Sequence, residues 1–339
     1  MDLDIALILL QDGVVNGAIY ALLALSLVLV FTVTRVILIP QGELVAFGAL
    51  TYAALDAGRA PGSLWLLAGL GVAAFVAGVV AERRVGAWLV TETLLVPGLV
   101  IAATLWLAPR RPGVFTEALL AVAIVTPMGP CLYRVVFQKL ADASVLVLLI
   151  ASVAVHLALG GLGLLFFGPE GFRAAGFSDA RLSLGGLDVP GQAVWIVGLT
   201  LGAMAGLALL FGRTLAGKAL RATAVNPLGA RLVGIAPSLS GRIAFALAGL
   251  LGAVSGVLIV PLTTVYYDSG FLIGLKGFVA AIIAGLVSYP LAAAAAVLVG
   301  CVESFASFYA SAFKEVIVFT IIIPVLLWRS LRSPAEEEE

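Results

Sequence analysis

Residues 13–55 fall into three pieces: GVVNGAIYALLALSLVLVFTVT (13–34), RVILIPQGE (35–43) and LVAFGALTYAAL (44–55). The first carries no charge and is long enough to cross a hydrocarbon core of about 30 Å, which takes about 20 helical residues. The last is about half that length and follows a connector that holds Arg35, Pro40, Gly42 and Glu43. A long apolar helix, a polar break and a short apolar helix make a broken membrane segment, and the rest of the chain fits that environment.

The 339 residues are 62% hydrophobic and 11% charged, with 38 glycines besides, and mean hydropathy is +1.18. Soluble domains carry about 25% charged residues, so most of this chain has lipid for solvent. Apolar runs at 13–34, 60–81, 93–109, 118–133, 143–169, 189–212, 243–267, 291–311 (with Glu303 inside) and 314–328 predict nine spans. The short pieces 44–55 and 277–288 raise the count to eleven if they cross. The predicted fold is all-α: a polytopic membrane helical bundle of about 9–11 spans with two short segments. Residues 1–330 form one transmembrane domain, and the acidic end 331–339, with Glu336 to Glu339, reads as a disordered tail. The acidic N-terminus lacks the basic region of a cleaved signal peptide, so the first apolar segment is expected to remain as a span.

The zero net charge hides an asymmetry. Without the four terminal glutamates, nineteen basic residues face fifteen acidic ones, a net +4. Residues 213–242 hold Arg213, Lys218, Arg221, Arg231 and Arg242 and no acid, which places them in the cytoplasm. Glu170, Asp179 and Asp188 outnumber Arg173 and Arg181 in the preceding loop, which suits the outside. Arg134 with Lys139, and Arg83 with Arg84, then fall inside, whereas Arg110 and Arg111 fall outside against the rule. With Arg35, Arg329 and Arg332 inside, both short pieces must cross, N-out and C-in. A re-entrant reading of both gives nine spans and reverses both ends.

Enzyme chemistry has no visible constellation. Cys131 and Cys301 are far apart, the single His156 reads as a packed helix residue rather than a ligand, and nucleotide, zinc-hydrolase and serine-hydrolase motifs are missing. No metal or cofactor is expected, and no nucleic acid.

The break recurs. A long span ending near 267 leads through Tyr266-Tyr267-Asp268-Ser269-Gly270 into 277–288, and Gly17–Leu22 resembles Gly241–Leu247 at the head of the long spans, allowing one residue of slip. The topology makes the two copies inverted, although Gly- and Ala-rich membrane helices also look alike by composition alone. Short segments at matching places in two halves point to a transport pathway, because broken helices offer free backbone groups to a polar cavity. Glu43 and Glu303 are the acids at membrane depth, where a carboxylate is costly and faces a cavity or a partner. Glu43 also reads as an interfacial helix-start residue favoured by the dipole of 44–55. Lys276 and Arg35 read as snorkelling end residues.

The stretch 214–225, TLAGKALRATAV, predicts a short amphipathic helix with Leu215, Ala219, Leu220 and Ala222 apolar and with Lys218 and Arg221 projecting elsewhere. Asn226-Pro227 breaks it, and a second short apolar stretch covers 230–235. A cytoplasmic helix–break–helix suits docking into the groove of a soluble partner. A basic loop meeting anionic headgroups is the plainer alternative.

This loop resembles the coupling pattern G-x-x-x-R-A-x-A-x-N-x-x-A-x-x-x-G-I of LivH-like permease subunits of branched-chain amino acid ABC transporters. The match falls on Gly217, Arg221, Ala222, Ala224, Asn226, Ala230, Gly234 and Ile235. Asn16–Leu25 is similar to the family's N-G-x-x-Y-A-L-x-A-L, Ile39–Leu44 to N-F-A-x-G-E, and Lys276–Ser288 to K-A-F-x-A-A-x-x-G-G-x-G-S, with Glu303 matching the acid of the next helix. The resemblance covers roughly 5–58 and 131–330. It departs at Leu38-Ile39-Pro40, at Gln41 and at Ala284-Gly285-Leu286-Val287, all in the two broken segments. Residues 86–130 look like an inserted, peripheral hairpin.

The resemblance implies a membrane-spanning permease subunit of an ABC importer in the inner or plasma membrane. It would carry branched-chain or related amino acids delivered by an extracytoplasmic binding protein. Two ATPase subunits would dock on 213–240, and a second permease subunit, a LivM-like homologue or another copy, would complete the pore. ATP hydrolysis then belongs to partners, and this chain is no enzyme. The implied pathway residues are Gln41, Gly42, Glu43, Gly285, Ser288 and Glu303. The alternative is a stand-alone ion-coupled secondary transporter using Glu43 or Glu303.

Overall fold

The computed structural model describes residues 3–82, 86–184 and 187–332. Thirteen helices follow one another: α1 Leu3–Thr34, α2 Gln41–Asp56, α3 Ser63–Glu82, α4 Ala87–Arg110, α5 Val114–Leu140, α6 Val145–Phe167, α7 Gly191–Arg213, α8 Leu215–Val225, α9 Pro227–Leu232, α10 Pro237–Ile259, α11 Ser269–Ile283, α12 Tyr289–Tyr309 and α13 Ser311–Trp328. Among the described residues, nine are long and apolar enough to cross a membrane, and these are the nine expected runs. A small antiparallel hairpin, β1 Arg181–Leu184 with β2 Leu187–Pro190, adds strand to the loop before α7.

Two ends are distinct. One gathers Thr32 in the last turn of α1, Arg35 just after it, Asp142 after α5, Arg231 in α9 and Pro237 at the head of α10 around one cavity. Tyr289, heading α12, lies at this end too, 3.5 Å from Thr32. At the other end, Asp56 accepts from the Ala175 amide, and Phe172 bridges Val265. The chain from Arg35 to Asp56, and again from Val265 to Tyr289, therefore connects opposite ends. Both short helices therefore run from one end of the bundle to the other, and the basic end is the one that the distribution of Lys and Arg predicts to be cytoplasmic. Arg83, Arg84 and the tail from 333 onward lie outside the described residues, as do the side chains of Arg329 and Arg332.

Burial ranks the helices. The apolar window of α1 is 83% buried and that of α13 only 6%, so α1 is the axis of the bundle and α13 its rim. Small residues let α1 and α12 touch through their backbones: a Cβ at Gly17 would lie 2.6 Å from Val297 Cα, and one at Gly300 would strike Gly13 and Gly17. Between apolar helices in lipid this close approach is the main source of association.

The hairpin expected at 86–130 as one peripheral unit divides. The apolar window of α4 is only 22% buried. Its partner α5 is core: Gly129 lies against the Phe245 carbonyl, and Gly249 of α10 against Thr126. Arg110 and Arg111 do sit at the outer end. Arg110 stacks over Trp106 at 4.1 Å, and Arg111 donates to the Ala57 carbonyl at 3.4 Å, so protein contacts hold both.

Candidate translocation site and coupling surface

The connector 35–40 is not helical, and Pro40, which has no amide to donate, stands just before α2. α2 thus starts inside the bundle rather than at its surface, and it packs along α10: Gly252 of α10 lies against Gln41 and Leu44, and Gly256 against Val45 and Ala49. α11 packs along α1, with Gly277 against Leu23. Each short helix therefore lies on the long helix of the other copy, which is the inverted arrangement expected. The two helix starts meet at Gly42 and Gly270, where a Cβ on either would strike the other's carbonyl. Two positive helix ends converge there, deep in the bundle.

Three of the six pathway residues stand at this junction. Gln41 is buried and donates Nε2 to the Ala248 carbonyl at 3.0 Å, while its Oε1 has no partner among the described residues. Glu43, only 3% exposed, lies 2.6 Å from Nδ1 of His156 in α6, and its second oxygen has no hydrogen-bond partner among the described residues. Glu43 stands in the first turn of α2, as the helix-start reading expects, and is packed inside the bundle rather than on its surface. His156 stacks on Phe271 of α11 at 4.7 Å, so it joins three elements rather than merely filling space.

Glu303 stands apart. It accepts from the Tyr20 hydroxyl at 2.6 Å and from Lys276 Nζ at 2.5 Å, and Lys276 also reaches Glu315 at 3.2 Å. The Lys276 ammonium lies 5.8 Å from the centroid of the Tyr20 ring. Lys276 is thus no snorkelling residue: it is 6% exposed and ties together α1, α11, α12 and α13. The reason is local, since two carboxylates and a ring face offer it more than a distant headgroup layer could. Arg35 is exposed at the basic end of the bundle, 5.9 Å over the Phe31 ring. Glu303 also lines a polar outward cavity of about 580 Å³ with Asp12, Asn16, Ser304, Ser307 and Lys314. Glu43 does not line this cavity. Gly285 and Ser288 lie at the inward turn: Gly285 and Leu286 take positive φ, and Ser288 caps α12 by accepting from the Leu291 amide.

The loop after α7 folds by two caps. Thr214 accepts from the Gly217 amide at 3.0 Å and starts α8; Asn226 accepts from the Gly229 amide at 2.9 Å and starts α9. Pro227 at the first helical position makes the second helix begin at 227 rather than 230, and Gly234 ends the unit with positive φ. Gly217, Leu220 and Thr223 form the buried face of α8, with Gly217 close against the backbone of Leu210 and Phe211. Leu215, expected on that face, is exposed, as are Val225, Leu228, Leu232 and Val233. Ala222 and Ala224 are half-buried, and Arg221 and Asn226 are exposed.

The family model described as "Branched-chain amino acid transport system / permease component" matches residues 9–326. The chain belongs to this family. Among curated relatives, the permease protein BraD of the high-affinity branched-chain amino acid transport system of Pseudomonas aeruginosa is 27% identical over 216 residues, 62% of this chain and 70% of the relative. LivH of Escherichia coli K12 is 27% identical over 216 residues, 61% of this chain and 70% of the relative. No solved structure shows significant similarity to the chain. This permease-family member is accordingly a multi-pass membrane protein, and the match runs through 86–130 without a gap in its bounds.

Tyr20, His156 and Glu315 were not among the predicted site residues. Tyr20 lies inside the first-helix motif 16–25, His156 is a lone polar residue in an apolar run, and Glu315 follows Lys314 at the head of another. An isolated polar residue at membrane depth is the signal that could have found them.

Proposed function

We propose that this chain is the membrane-spanning subunit of an ABC importer for branched-chain or related amino acids, powered by two ATPase subunits docked on 213–240. The supporting observation is the coupling surface: five exposed apolar side chains, Leu215, Val225, Leu228, Leu232 and Val233, stand beside exposed Arg221 on a capped helix pair at the basic end. Such a rigid apolar rim suits a protein groove better than a flexible basic loop suits headgroups. Because α8 buries Gly217 and Leu220 against α7, α1 and α10, a displacement of α8 is carried into the bundle as a rigid-body shift. Gly217, Arg221, Ala222, Ala224, Asn226 and Gly234 are its coupling residues.

The outward cavity at Glu303 is open on one side and serves as half of the entrance. A second permease subunit, a LivM-like homologue or another copy, completes it, and an extracytoplasmic binding protein delivers solute there. Gln41, Gly42 and Glu43 mark the depth at which the two half-helices part, with Gly285 and Ser288 at the inward turn. The fixed pairing of Glu303 with Lys276 weighs against Glu303 as a coupling acid, and the capped, exposed helix pair at 214–233, which a stand-alone carrier does not need, weighs against the ion-coupled reading as a whole. Co-purification with the ATPases tests the reading. The wild type should retain them and an Arg221→Glu, Ala224→Asp variant should lose them; equal retention or equal lack in both would sink the docking role.

A further inference from the structure

A second cavity, of about 540 Å³, opens between α6 and the head of α11. Its polar wall is Glu43, His156, Asp268 and Ser269, and its apolar wall includes Leu157 and Leu164; no lysine or arginine lines it. His156 holds one oxygen of Glu43 and leaves the other, buried and without a partner, beside this space. A buried carboxylate oxygen with no donor is a costly thing to keep. We infer that the cavity binds a solute bearing an ammonium group on an apolar body, with Glu43 receiving the ammonium and the leucines of α6 covering the body.

The depth identifies the source. Glu43 is the third residue of the sixteen-residue α2, so at about 1.5 Å per residue it lies about 20 Å from that helix's outer end. An aminophospholipid headgroup stays at the interface and does not reach it, whereas an aliphatic amino acid or amine in transit does. The inference deepens the transport reading and rests on it for the supply of that solute.

The test uses the full-length chain in lipid nanodiscs and radiolabelled leucine. Unlabelled 3-methylbutylamine, which keeps the ammonium and lacks the carboxylate, should displace the label, and 4-methylpentanoate, which has the reverse, should not. Glu43→Gln should weaken binding by about tenfold to a hundredfold, the worth of a charge-assisted hydrogen bond. Gly160 lines the cavity, and a Cβ there meets nothing within 4 Å, so Gly160→Phe should fold and block the site. Gly198→Phe, at a similarly open position on α7, should bind like the wild type. No leucine binding by the wild type, unaltered binding in both Glu43→Gln and Gly160→Phe, or displacement by the acid as strong as by the amine would overturn the inference. Vesicles of phosphatidylethanolamine that displaced leucine where phosphatidylcholine did not would overturn the assignment to a solute. Retention of the ATPases by these variants keeps this outcome separate from the docking test.

Discussion

Glu43 and Glu303 are both glutamates buried in an apolar bundle, yet their surroundings differ in kind. Glu303 is saturated: a phenol and an ammonium occupy its oxygens, and the ammonium itself is shared with Glu315. Glu43 is half-satisfied, with one histidine and one empty oxygen. A saturated buried acid holds helices together, and a half-satisfied one is available to a ligand. Removing a partner from the first should therefore damage the fold, and removing the second should damage binding.

The largest effect expected is at Lys276. Lys276→Met leaves buried Glu303 without its counter-charge, with only the Tyr20 hydroxyl remaining, while the more exposed Glu315 keeps Lys314; breaking a buried pair from one side costs about 3–5 kcal/mol. Thermal unfolding in detergent should show it. Adding Glu303→Gln should restore at least about 1 kcal/mol through the coupling between contacting residues. A single-variant cost within about 0.5 kcal/mol of zero would show that the network is not structural. Next comes the α1–α12 contact: Gly17→Val drives a side chain into the backbone at Val297, and overpacking of this kind costs about 1–3 kcal/mol. It should lower thermal stability without altering leucine binding in protein that does fold.

The Glu43 side of the comparison predicts less. His156→Phe keeps the stack on Phe271 but removes the donor to Glu43, leaving the carboxylate with neither oxygen bonded. A loss of about 1–3 kcal/mol follows from an unsatisfied buried group. His156→Phe combined with Glu43→Leu should be closer to wild type in stability, because both polar partners are gone. If the double variant is the less stable of the two, the pair matters through packing and the contrast with Glu303 fails.

The parts of this architecture that could be read in advance are those written locally. Span lengths are set by uninterrupted apolar runs, so all nine long helices are visible at 13–34 and onward. The coupling unit is visible because Thr214, Asn226 and Pro227 each act within three residues of themselves. What could not be read is written across distance. Glu43 and His156 are 113 positions apart and Lys276 and Glu303 are 27 apart, and no periodicity links them. The core role of α5 was hidden for the same reason: Gly129 signals close packing only once Phe245 is known to face it. The length of α2 alone does not say where its far end lies, and the bond from the Ala175 amide to Asp56 ties that end to the loop before α7.

The smallest effect on stability is expected where the surface is most exposed. Leu228 in α9 is 68% exposed, and substitutions at such positions usually change stability by less than about 0.5 kcal/mol. Leu228→Asp should therefore unfold at the wild-type temperature and insert normally. If the apolar rim docks in a groove, the same charge would be buried unpaired against the ATPase, and losing association by a factor of about ten or more needs only about 1.4 kcal/mol of that penalty. Stability and association should then separate completely at this residue, whereas at Lys276 they should fall together. A Leu228→Asp protein that keeps its ATPases would place the docking face elsewhere on 213–240. One that lost both stability and association would mean that the rim is packed inside the chain, contrary to its exposure.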